Sequence, residues 1–157
     1  LIGDPDHLRT YYGHLQDIVA RAYNADDLAP WCDQLAELLP AQDFDSHCQF
    51  VADRADWVMY GAADAVTVRF PPVSFAITTS GGSDFSVPGS ETTLQGTGWL
   101  DVREILLDGT SLPASWTGQA WSVVVPLEEG DNNIELVATD QHGEVVGSDA
   151  VVVTSAP

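Results

Sequence analysis

The sequence predicts a two-part chain: about three short helices, then an all-β sandwich of about seven strands. Apolar residues recur every three or four positions as far as about Tyr60, and every second position once Pro71-Pro72 is passed. The later part is also punctuated by Gly, Pro and Asp pairs, which bound short strands. With 157 residues, 45% of them apolar, the chain has material for a real core.

The helices are marked by caps and prolines. Asp4 is placed to cap the first, with Pro5 at its first position, where a missing N–H costs nothing. Leu8, Tyr12, Leu15, Ile18 or Val19, and Ala22 line one face. Asp26 or Asp27 caps the second helix, with Pro30 in its first turn and Pro40 as its stop. Its stripe is Leu28, Trp31, Leu35 and Leu38. The third starts near Asp45, carries Cys48, Val51, Ala52, Ala55 and Val58 on one side, and stops at Gly61. A bundle this thin buries its stripes poorly, so the helical segment 1–61 is expected to lean on the sandwich or on upstream sequence.

Residues 62–72 read as a linker, small and polar at Ala62-Ala63-Asp64-Ala65 and extended at Pro71-Pro72. The sandwich then occupies 73–157. Val73, Phe75 and Ile77 alternate with Ser74, Ala76 and Thr78, and Gly81-Gly82 turns the chain into a strand at Phe85 and Val87. Further strands are expected at 92–97, 100–107, 120–127, 134–139 and 145–154. Asp108-Gly109, Glu128-Glu129-Gly130-Asp131 and Asp140-Gln141-His142-Gly143 supply turns between them. Seven or so short strands in about 85 residues describe a β-sandwich.

Particular runs carry a resemblance. Leu94-Gln95-Gly96, Val102 to Gly109, Trp121 to Leu127, Gly130-Asp131-Asn132-Asn133-Ile134 and Ala138 to Gly143 resemble bacterial Ig-like domains of the glucodextranase type, over roughly residues 73–154. Upstream, Tyr12 to Trp57, with Ala25 to Trp31 and Leu38 to Phe44, resembles the helical end of the spore-coat CotH-type kinase family. That second resemblance implies the C-terminal end of a kinase-like region in a large secreted bacterial protein. Its nucleotide- and metal-binding residues would lie before Leu1, and none maps onto a position here. The opening Leu1-Ile2-Gly3-Asp4-Pro5, without an initiator Met, likewise reads as mid-protein.

Charge narrows the partners. The net charge is −19, with 24 acids against five arginines and no lysine. Both parts share the excess: 11 acids and three arginines up to residue 60, 13 and two after it. Such a surface repels phosphate backbones and anionic lipid, so neither nucleic-acid binding nor membrane insertion is expected. No stretch approaches the length of a membrane span.

Chemistry-bearing residues are sparse. His7, His14, Cys32, His47 and Cys48 lack the tight spacing of metal-ligand arms. For Cys32 and Cys48, an antiparallel hairpin places the Cα atoms near 10 Å apart, beyond bridging range, which favours two thiols; an oxidising compartment argues for a disulfide. Asp26-Asp27, Glu128-Glu129 and Asp131 offer oxygens to Ca²⁺, but without a D-x-D-x-D-G loop, so no cofactor is expected and calcium is the sole candidate ion. Asn132 reads as a turn residue bonding local backbone. Trp121 shares parity with Val123, Val125 and Leu127 and belongs to the core. Trp99 starts a strand and Trp116 sits in a loop; these two, taken as exposed, are the candidate glycan-stacking pair. Serine-hydrolase elbow, phosphate loop and H-E-x-x-H are all missing from the sequence.

The expectation is therefore a non-catalytic spacer or docking region of an extracellular or cell-surface protein. Its partners would be neighbouring domains, or the envelope or an extracellular polymer. A carbohydrate-binding module and the end of a kinase whose active site lies upstream are the alternatives.

Overall fold

The structure, a computed structural model, describes the backbone of residues 5–156 and side chains from residue 7. The expected cap Asp4 lies outside the described residues. The chain divides into two compact units: Thr10–Pro71, and Pro72–Pro157 together with the segment up to Arg9.

The helical unit contains most of α1 (Pro5–Arg21), then α2 (Ala25–Leu38), α3 (Phe44–Asp56), one π-helical turn at Trp57–Gly61, and a short α4 (Val66–Arg69). Asn24, not Asp26 or Asp27, caps α2 by accepting from the Asp27 N–H at 2.9 Å. Pro30 therefore falls in the second turn, inside the helix, where its missing N–H removes a helical bond. Asp43 caps α3 through the Ser46 N–H at 3.0 Å. The expected linker 62–72 contains α4 and much of this unit's core. Ala65, Val66 and Phe70 are buried with Tyr12, Ala55 and Met59. Tyr12 packs on Phe70 with ring centroids 5.5 Å apart and donates to the Asp64 carbonyl at 3.0 Å. Small residues read as a linker because alanine is uninformative in sequence; here it allows close packing.

Cys32 and Cys48 form a disulfide that ties α2 to α3, with Cα atoms 6.6 Å apart. The sequence estimate erred in two terms. Six residues separate Cys32 from the end of α2, and four separate Cys48 from the start of α3, so the axial offset is only about 3 Å. Facing Cα atoms also stand about 2.3 Å inside each helix axis, which shortens an interaxial spacing of about 8–10 Å. The bridge also selects the face of α2 turned toward α3. Leu28, Cys32 and Ala36, at i, i+4 and i+8, are half-buried, while Trp31, Leu35 and Leu38 of the expected stripe are exposed.

Among the described residues, the second unit is a sandwich of nine strands. β1 (Ala76–Ile77), β3 (Glu91–Thr97), β7 (Ala120–Pro126) and β6 (Ser115–Thr117) form one sheet in the order β1-β3-β7-β6. β2 (Phe85–Pro88), β9 (Val145–Ala156), β8 (Gly130–Thr139), β4 (Glu104–Leu107) and β5 (Thr110–Leu112) form the other, in the order β2-β9-β8-β4-β5. With β1, β3, β7 and β6 as A, B, E and D, and β9, β8 and β4 as G, F and C, this is the immunoglobulin-like strand order. The count exceeds seven because two three-residue strands, β5 and β6, are too short to show alternation. The first strand switches sheets through Ser80, Gly81 and Gly82, all at positive φ (54°, 67° and 76°).

Alternation places the core between the sheets. Leu94, Ile105, Val123, Val125, Leu136 and Val153 are fully enclosed. Trp121 lies among them, stacked on Phe75 at 5.3 Å, its indole N–H donating to the Thr97 carbonyl at 2.8 Å. Opposite it in register stands Gly96, where a Cβ would overlap the indole ring. This explains the glycine of Leu94-Gln95-Gly96. Asp108 and Gly109, both at positive φ, make the two-residue hairpin between β4 and β5.

Candidate functional site

Both candidate tryptophans belong to one end of the sandwich, where the 98–103 loop meets the β6–β7 turn. Trp99 lies in the loop; Trp116 lies on β6, cross-strand from Trp121, rather than in a loop. Each is half-buried, not exposed. Trp116 packs against the sandwich core, and its other contact is a cation: the Arg9 guanidinium carbon lies 3.6 Å from the ring centroid.

Arg9 is the residue sequence reasoning missed. It is only 6% exposed, in the unit that contains the sandwich. Its Nη1 donates to the carbonyls of Gly118 at 3.1 Å and Gly98 at 3.4 Å, and its Nη2 to those of Val102 at 3.2 Å and Trp99. Burial pushes its pKa down to about 10, with Arg103 adding repulsion and Asp101 partly offsetting both. It remains a cation at neutral pH. Asp101, half-buried, is shifted upward, chiefly by burial; backbone N–H bonds and Arg9 pull it back. The one trace in the sequence is the pairing of each tryptophan with a nearby glycine, Gly98-Trp99 and Trp116-Thr117-Gly118. Nothing in the neighbourhood of Arg9 along α1 distinguishes it.

Turns at both ends of the sandwich are closed by their own side chains. Asn132 accepts from the Glu128 N–H at 2.8 Å and donates to the Glu128, Gly130 and Val153 carbonyls at 2.9, 3.0 and 3.2 Å. Asp140 accepts from the N–H groups of His142 at 2.8 Å and Glu144 at 2.9 Å. Of the carboxylates considered for calcium, Asp131 accepts from the Thr154 hydroxyl at 2.6 Å and Asp27 from the Asn24 amide at 2.7 Å. His7, His14 and His47 are exposed, and both cysteines are spent on the disulfide. Among the described residues no three His, Cys, Asp or Glu side chains come together as a metal-binding group.

On the outer face of the β1-β3-β7-β6 sheet lies a cleft of about 270 Å³, walled by Thr78, Gln95, Ser115, Thr117 and Ser122 over Gly96 and Trp121. Hydroxyl and amide side chains share its lining with apolar surface that includes Ala120 and Trp121. In the helical unit, Trp31, Leu35 and Leu38 form an i, i+4, i+7 stripe that is 64%, 38% and 75% exposed.

No protein-family model matches the chain, and no curated protein matches it. Among solved structures, it is similar to Clostridium thermocellum CbhA fibronectin(III)-like modules, at 15% identity over 53% of this chain and 99% of that one, with a TM-score of 0.39. An Ig chain of the titin M10–obscurin-like 1 complex matches at 15% identity over 47% of this chain and 86% of that one, TM-score 0.35. The Bacteroides ovatus mixed-linkage glucan utilization locus protein SGBP-B, in complex with a mixed-linkage heptasaccharide, matches at 12% identity, TM-score 0.35. That match covers 52% of this chain and 24% of the other. The strand order is what establishes the sandwich. Among the described residues no helix is long and apolar enough to cross a membrane.

Proposed function

We propose that this chain is a non-catalytic accessory region of a larger secreted or cell-surface bacterial protein. Its sandwich is the rigid spacer and its helical unit the docking surface. The observation that carries the reading is the exposed stripe Trp31, Leu35 and Leu38 on α2, a helix with no fully buried residue. Contiguous apolar surface of that kind marks an interaction face. The Cys32–Cys48 disulfide supports an oxidising, extracellular compartment. The net charge of −19 argues for partners other than nucleic acid or membrane lipid. Neighbouring domains of the same protein are the proposed partners. Hydrogen exchange tests this directly: α2 amides should exchange at least tenfold more slowly in the full-length natural protein than in this chain. Equal rates in both would overturn the reading.

The hydroxyl- and amide-lined cleft favours a second reading, a carbohydrate-binding module. Polysaccharide pull-down that is lost in Gln95→Ala would place sugar in the cleft. Loss in the Trp99→Ala, Trp116→Ala double variant alone would place it at the loop end. The CotH-type resemblance supplies a third: phosphotransfer from ATP by the full-length protein but not by this chain would assign the helical unit to a kinase-like domain.

A further inference from the structure

We propose that the loop end of the sandwich is a guanidinium-selective socket, filled in cis by Arg9, that keeps one face of Trp116 covered. The inference rests on none of the three readings of function above, because it concerns a guanidinium as ligand; its surface includes the Trp116 that the carbohydrate reading tests.

The geometry suits a planar, forked cation and no other common one. Carbonyls from two separate pieces of backbone, Gly98, Trp99 and Val102 on one side and Gly118 on the other, converge on the two terminal nitrogens. The Trp116 ring closes the flat side at 3.6 Å. A guanidinium can donate in plane to four acceptors while stacking its face on an indole; an ammonium has three N–H groups in no common plane and cannot reach all four carbonyls while facing the ring. Four carbonyl dipoles, an aromatic face and nearby Asp101 replace the water removed from a charge that is 6% exposed.

Two glycines shape the socket. At Gly98 a Cβ would stand 3.1 Å from the Trp116 ring, so a side chain there crowds the stacking surface. Gly118 has a positive φ of 62° in the turn that presents its carbonyl to Arg9. A ligand stacking on this face of Trp116 must first displace Arg9, so Arg9 acts as an internal plug.

The test is chemical complementation of the full chain. Arg9→Ala should bind ethylguanidinium or L-arginine at millimolar concentration, read by tryptophan fluorescence and a rise in melting temperature. Ethylammonium and L-lysine should bind at least tenfold more weakly, and the unaltered chain should bind none of them. Arg9→Lys should behave as the alanine variant does, filling nothing. Equal response to both cation types, or binding of ethylguanidinium by the unaltered chain, would overturn the proposal. Should Arg9→Ala fail to fold, the unaltered chain decides the matter. Nitrogen-15 spectra of its five arginines should show one guanidinium with resolved, slowly exchanging Nη protons, lost in Trp116→Leu. Five averaged guanidinium groups would refute the socket.

Discussion

In the sandwich, Leu94, Ile105, Leu136 and Val153 are completely enclosed, and the large apolar residues left exposed are three valines, Val124, Val145 and Val146. In the helical unit, Val66 reaches full burial, while Trp31, Leu38, Phe50 and Tyr60 each stand more than half exposed. Both parts have helix- or strand-appropriate patterning, so the difference lies in closure. Two facing sheets shut a core between them by alternation alone. Three short helices have more apolar stripe than mutual surface, and a covalent bridge supplies part of what packing does not. The surplus stripe is then available to something else.

That contrast can be broken in four ways. The largest effect is expected for Trp121→Ala, which empties the centre of the sandwich and removes its bond to Thr97. A loss of about 3–5 kcal/mol in urea unfolding is expected, and a loss below about 1 kcal/mol would show that the core closes without it. Next, reduction of Cys32–Cys48 should cost the helical unit about 3 kcal/mol for a loop of this size. Helical circular dichroism should melt early while the sandwich transition stays put; a joint fall of both would mean the units are not separate in stability. Third, Asn132→Ala strips three backbone bonds from the Glu128–Gly130 turn and one to Val153 on β9, and should cost about 1–3 kcal/mol, measured on the sandwich transition alone. Smallest, Trp31→Ser should change stability by less than about 0.5 kcal/mol, because the residue is an exposed one. A loss above about 1 kcal/mol would mean that the stripe is already packed, and the docking reading would fail with it.

The sandwich was legible because its signals are local and repeated. Parity along β7 put Trp121 inside, Asp108-Gly109 announced a tight hairpin, and Gly130-Asp131-Asn132 announced a side-chain-closed turn. The helical unit was legible in its helices but not in which faces meet. Trp31 and Cys32 are adjacent in sequence and about 100° apart around the helix, so apolar periodicity alone could not choose between the stripe containing one and the stripe containing the other. The bridge chose. At the loop end the tryptophans were visible, but their exposure was not, because the group covering Trp116 comes from 107 residues upstream and buried cations leave no periodic mark. Ala65, Val66 and Phe70 were hidden for a related reason: a four-residue helix completes barely one period of the pattern used to find it, so nothing repeats.

One feature of the sandwich has a mechanical side. β2, near the start of that unit, runs parallel to β9, its last strand, with Phe85 opposite Val153 through Pro88 opposite Ala156. Tension applied at the two ends of the sandwich pulls these neighbours past each other lengthwise, so their hydrogen bonds share the load and must yield together. An antiparallel pair peeled from one end would release its bonds one at a time. A module wired this way resists stretching, as a link exposed to flow or tethered at both ends is required to do.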